Sequence, residues 1–149
     1  MRKDMMIMKK NMYRLFSFVL ILICCFSFAS CTKTANTEIW AEATYTKDTE
    51  LGSGGKTVLI EVKAEEKSVT FILHTDKENL GEVLTEHNLV SGEQGAYGLY
   101  IKTVNGILAD YNQTKSYWGL TKNGESVMTG VDSVTIADGE HYEFVYTKQ

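Results

Sequence analysis

An α+β fold, with a mixed β-sheet carrying one short helix on one face, follows from three features of this 149-residue sequence. Apolar residues alternate with period two in several short runs, the mark of half-buried strands. Only the stretch from Leu80 to His87 switches to the i, i+3, i+4, i+7 spacing of a helix face. Three two-residue turn signals, Asn105-Gly106, Asn123-Gly124 and Asp138-Gly139, punctuate the second half. At 44% hydrophobic and 11% aromatic residues, the chain has enough apolar surface to fold, which excludes a disordered polymer.

The first thirty residues read as an address. Arg2, Lys3, Lys9, Lys10 and Arg14 face a single acid, Asp4, and Leu15 to Phe28 is almost unbroken apolar sequence. A basic start, a short apolar run and small residues at its end make a secretory signal. The run falls short of the ~20 residues that a spanning helix needs. Phe28-Ala29-Ser30-Cys31 resembles the lipobox of bacterial lipoproteins, with Phe28 where that family usually has Leu. The resemblance implies cleavage before Cys31 and acylation of its sulfur. The expected organisation is therefore a signal peptide over 1–30, a lipidated Cys31 and tether over 31–37, and one domain over 38–149. Cys24 and Cys25 fall inside the signal, so no cysteine is left for a disulfide, a metal site or a nucleophile.

Beyond residue 30 the chain holds ten Lys against eighteen acids and no Arg. That balance excludes nucleic acid as a partner, because phosphate binding needs a basic patch. An acidic surface also keeps a lipid-tethered domain soluble and off the anionic membrane.

Each element follows from its own pattern. Glu38 to Tyr45, rich in β-formers, is expected as a first strand, and Lys47 to Lys56, with three glycines, as a loop. Thr57–Lys63 and Val69–His74 alternate cleanly around Ala64-Glu65-Glu66-Lys67 and predict a hairpin. Thr75-Asp76-Lys77-Glu78 has the spacing of a capping box. Leu80, Val83, Leu84 and His87 then form one helix face, which Asn88 ends in a left-handed conformation. Ser91–Ala96 is expected as a glycine-rich loop and Tyr97–Val104 as a strand. Asn105-Gly106 turns the chain back through Ile107–Ala109, and Asp110–Ser116 is expected as polar loop. Strands follow at Tyr117–Thr121, Ser126–Thr129, Val131–Ile136 and His141–Thr147. A hairpin, one helix on one sheet face and then further strands describe a β-grasp-like arrangement.

The residues that carry chemistry point to binding. Tyr97, Tyr111, Tyr117 and Trp118 lie around the central strands and loops, with Gly119 and Leu120 beside them. Aromatics with a polar tip make walls for a flat ligand or anchors in an interface. Gly119 would let a ligand or another backbone approach closely. The same Trp118 also suits a small core. Gly55-Lys56-Thr57 has Glu50 where a phosphate loop needs Gly, and an alternating strand follows instead of a helix. His74, His87 and His141 stand apart, with no HxH or HExxH spacing, so no metal ligand is assigned. No catalytic residue is assigned either, because the serines lack a nucleophile elbow and the acids are dispersed.

LGEVLTEHNLV, YGLYIKTVNGILAD, SYWGLTKNGESVMTGVDSVTI and ADGEHYEFVYT run in this order from Leu80 to Tyr146. Together they resemble the transcobalamin C-terminal-like domain of unknown function found in secreted and cell-wall proteins of Gram-positive bacteria. The resemblance implies a β-grasp-like domain whose surface holds cobalamin or another corrinoid as ligand. No other cofactor is implied. In the animal transporters of that family a larger helical domain supplies the other wall around the corrinoid. The function expected is non-enzymatic capture of a corrinoid for uptake, beside a transporter, on the outer face of the cytoplasmic membrane. Tyr97, Tyr111, Tyr117, Trp118, Gly119 and Leu120 are the expected contacts. The alternative is an interaction module that offers a sheet edge or aromatic patch to a protein or cell-wall polymer.

Overall fold

The computed structural model describes residues 39–149. The signal, Cys31 and the tether expected over 1–37 lie outside the described residues. In chain order the elements are β1 (Thr49–Gly52), β2 (Lys56–Ala64), β3 (Lys67–Thr75), helix α1 (Leu80–Glu86), β4 (Val90–Gly95), β5 (Gly98–Val104), β6 (Ile107–Leu108), β7 (Ser116–Lys122), β8 (Glu125–Ser126) and β9 (His141–Lys148). Six strands form one sheet in the order β1-β3-β2-β9-β7-β8, and β4-β5-β6 form a second.

The larger sheet is mixed. β1 runs parallel to β3 and β9 parallel to β2, while the β2–β3 and β7–β9 pairs are antiparallel. The last strand therefore inserts at the centre of the sheet beside the first strand of the hairpin. The α+β class, with one short helix on a mixed sheet, is the one the patterns predict.

Alternation along the strands sends one face inward. Val58, Ile60 and Val62 of β2, Val69, Phe71 and Leu73 of β3, and Tyr142 and Phe144 of β9 are buried together. Leu80, Val83 and Leu84 of α1 lie over them, with Leu89, Val104, Ile107, Val131 and Ile136 closing the core. The helix starts at Asn79, whose side-chain oxygen accepts from the Glu82 amide, and Asn88 follows it at φ 53°. A left-handed asparagine there ends the helix at modest cost.

Four expectations are corrected. Ile39–Glu42 is a 3-10 turn, not a strand. Trp40 is buried as a plug, with its indole N–H on Ala64 O at 3.0 Å. β1 forms within the expected loop, because its amides and carbonyls pair with the exposed edge of β3. β4 likewise replaces the expected Ser91–Ala96 loop and pairs with β5 across a bulge at Ser91/Gly92. A side chain at Gly92 would collide with Tyr100 O, so glycine is what lets this strand close. Val131–Ser133 is a 3-10 turn, because Asp132 is drawn to the Leu99 amide and Val131 and Ile136 go to the core.

Two smaller differences concern polar caps. The Thr75 hydroxyl accepts from the Lys77 amide, but Thr75 ends β3 and Asn79 caps the helix. Tyr111–Thr114 forms one helical turn within the expected polar loop, because the Asp110 carboxylate accepts from the Asn112 and Gln113 amides.

Phe71 is fully buried and meets Tyr45 edge-to-face at 5.4 Å. Phe71→Ala should therefore lower unfolding free energy by about 3–5 kcal/mol, read from the urea midpoint.

Ion pairs make that midpoint depend on pH. Burial opposes ionisation of Asp110, but the Asn112 amide, Lys102 and the Gln113 amide outweigh it and hold its carboxyl below the usual range. Burial likewise opposes ionisation of Glu140, yet Lys122, the Tyr142 hydroxyl and the Ala137 amide lower it. Glu143 is lowered chiefly by its bond to Lys63. Carboxyls lowered in the folded state give stability that is complete above their unfolded value of about 4. It is lost as pH falls through the lowered folded values. The urea midpoint should drop on acidification below about pH 4, and Glu140→Gln should flatten that drop. The Tyr142 hydroxyl is pushed up, first by burial and then by Glu140. Its contribution is complete below about pH 10 and fades above it.

Candidate functional site

β5 packs against β7, and an open groove runs along their junction. Its walls are Leu99, Tyr100 and Ile101 of β5, Tyr117 to Leu120 of β7, and the segment Val127 to Val131, with Phe144 also lining it. The groove encloses about 390 Å³, within the span of small-molecule sites.

Each wall has a local reason. Trp118 and Leu120 alternate onto the core side of β7, opposite Tyr146 and Phe144 of β9. Trp118 is half-buried, meets Tyr146 edge-to-face at 5.4 Å and donates its indole N–H to Ile107 O at 3.2 Å. The ring is thereby fixed from behind while part of it stays accessible. Val127 N–H bonds to Leu120 O, which holds the third wall against β7. Asp132 locks the upper lip: its carboxylate accepts from the Leu99 amide at 2.8 Å, and the Asn79 amide group donates to its carbonyl.

Of the six residues assigned from the sequence, Tyr117, Trp118, Gly119 and Leu120 line the groove. A Cβ at Gly119 would find nothing nearer than Val145 O at 3.8 Å, so the missing side chain leaves that stretch of wall open. Tyr97 lies in the turn before β5, and its carbonyl crowds Gly130 at the groove's lip. Tyr97 is 93% exposed, and Met128 on the facing wall 91%. Tyr111 is elsewhere: its hydroxyl donates to Gln149 and its ring lies under Lys115. Sequence reasoning missed Ile101, Met128 and Val131 in the walls and Asp132 as their clamp, since nothing local marks which loops fold over β7. A hollow of about 450 Å³ beside Trp40 is a weaker candidate, because its one aromatic ring is buried with its N–H already bonded.

The outer face of the large sheet carries a second constellation. Glu61 of β2 stands directly across from Glu143 of β9, and His141 precedes Glu143 on the same face. One ligand atom from each of these residues lies within 4.8 Å of the others, the one such group of three among the described residues. The Lys63 ammonium bridges the carboxylates, 2.6 Å from Glu143 Oε1 and 3.2 Å from Glu61 Oε2. His141 Nε2 lies 3.5 Å from Glu61 Oε2, and the Thr121 hydroxyl donates to Glu143 Oε2 at 2.6 Å. An imidazole and two carboxylates suit a divalent transition metal. No spacing rule reveals this set, since Glu61 and His141 are distant in sequence and meet only through the β2–β9 pairing.

The chain is similar to known proteins in sequence and in fold. Residues 78–148 match the family model described as Domain of unknown function (DUF4430). A solved structure from Ruminococcus gnavus, of a protein proposed to bind metal, aligns with a TM-score of 0.60 and 36% identity, over 64% of this chain and 99% of that one. Haptocorrin in complex with Cbi aligns with a TM-score of 0.48 and 22% identity, over 66% of this chain and 26% of that one. No curated protein matches the sequence. With residues 78–148 matched and nearly the whole of a 36% identical relative accounted for, the chain belongs to the DUF4430 family of domains of unknown function.

Proposed function

We propose that this domain binds one face of a flat ring ligand in the groove between β5 and β7. The observation that carries the reading is the fixed indole of Trp118, held from behind by Tyr146 and Ile107 O and facing an open cleft. A preset aromatic wall binds without the entropy loss of ordering it. Exposed Tyr97, Tyr100 and Met128 add adaptable contact area at the rim.

The ligand class proposed is a corrinoid, as the motifs between Leu80 and Tyr146 imply. A groove of about 390 Å³ covers only one side of so large a ring system. The opposite wall would then come from a partner, and a transporter at the membrane is the partner proposed. The lipobox-like Phe28-Ala29-Ser30-Cys31 supports a lipid anchor that keeps the domain beside it. The role is binding rather than catalysis, because the walls are aromatic and aliphatic and the indole N–H is spent on a backbone carbonyl.

Calorimetric titration of the full-length chain, in mild detergent, with cyanocobalamin tests the reading. Saturable binding should weaken about tenfold in Trp118→Ala and stay unchanged in Tyr111→Ala, which lies outside the groove. No binding by the parent chain would remove the corrinoid, and equal affinity in Trp118→Ala would remove the groove.

The relative from Ruminococcus gnavus favours a second reading, in which the domain also holds a metal ion. The donor set of Glu61, His141 and Glu143 fits such an ion chemically.

A further inference from the structure

We propose that Glu61, His141 and Glu143 form a Zn²⁺-type site on the outer face of the large sheet, with Lys63 as the resident cation that the metal displaces. The assignment rests on the second reading above and names its residues.

In the parallel β2–β9 ladder Glu61 faces Glu143 directly, so two carboxylates share one rung. Like charges directly across a sheet destabilise it unless a cation stands between them. The sheet therefore builds a place for positive charge before any ligand is considered. Lys63 serves it, within 2.6 Å and 3.2 Å of the two carboxylates. An ammonium on a flexible stem is easily replaced, and this one is 38% exposed, so it can swing to solvent.

His141 changes what the site can take. It lies two residues before Glu143, and a strand's period of two brings its imidazole onto the same face. It brings a nitrogen donor to the point where the two carboxylates already converge. Two oxygens and one imidazole nitrogen converging within 4.8 Å make the three-ligand side of a tetrahedral site, with the fourth position toward water. Such an ion has metal–ligand distances of about 2.0–2.2 Å, so small rotations of these part-buried side chains suffice to close on it. The imidazole disfavours Mg²⁺ and Ca²⁺, which prefer all-oxygen shells. Thr121 donates to the far oxygen of Glu143 and orients that carboxylate, as supporting partners of metal ligands do. The site lies on the opposite sheet face from Trp118 and Leu120, so it is separate from the groove.

Zinc titration of the full-length chain in detergent, with Co²⁺ as a spectroscopic stand-in, tests the assignment. The parent should take up one Zn²⁺ per chain and give Co²⁺ absorption bands of four-coordinate type. His141→Ala and Glu143→Gln should each weaken uptake by more than about tenfold. Lys63→Ala should tighten it about threefold, since the competing cation is gone. If these groups formed a structural ion pair only, Lys63→Ala would lower thermal stability with no gain in zinc affinity, and the assignment would fall. Unchanged uptake in both His141→Ala and Glu143→Gln would place the metal elsewhere and leave the second reading standing. No uptake by the parent would end both.

Discussion

The parallel ladder between Leu59–Lys63 and His141–Val145 is the contact on which the rest of the molecule depends. It joins the first long strand of the described body to its last. Tyr142 and Phe144 enter the core through it, and β7 reaches the sheet only by pairing with β9. Both candidate sites derive from this one pairing. On the inner side β9 supports β7, and with it the Trp118 wall. On the outer side it sets Glu143 against Glu61 and delivers His141 to the same patch. Pairings of such sequence separation carry a large loop-closure cost, which makes them intrinsically slow to form.

The groove is a consequence of how two sheets of unequal size meet. Where β5 of the three-stranded sheet meets β7, Trp118 is half in the core and half accessible. Such a residue serves both purposes at once. Its rear surface contributes to stability, and its front surface is presented without freedom to rearrange. The clamp by Asp132 extends the same logic to the lip, where one carboxylate ties the start of β5 to the Val131–Ser133 turn.

Legibility followed the range of the forces involved. The β2–β3 hairpin, helix α1, β5, β7 and β9 were readable because alternation, helical spacing and Asn-Gly turns are local signals. β1 and β4 were not, since their sequences carry little apolar pattern and they exist because a neighbouring edge offers hydrogen bonds. Val131–Ile136 misled because its alternation reflects separate anchors, with Val131 and Ile136 in the core and Asp132 on a backbone amide. At the site, the β7 residues were legible from their aromatic composition. Met128, Ile101 and the Asp132 clamp were not, and neither was the Glu61, His141 and Glu143 set, because only tertiary pairing assembles them.

The claim at the centre of this account is that ligand enters between β5 and β7. Amide chemical-shift mapping of the isotopically labelled chain during titration with cyanocobalamin addresses it most directly. Shifts should be confined to Leu99–Ile101, Tyr117–Leu120 and Val127–Val131, with the Trp118 indole N–H among the largest. Shifts clustered on the outer sheet face around Leu59 and Val145, or none at saturating ligand, would contradict it.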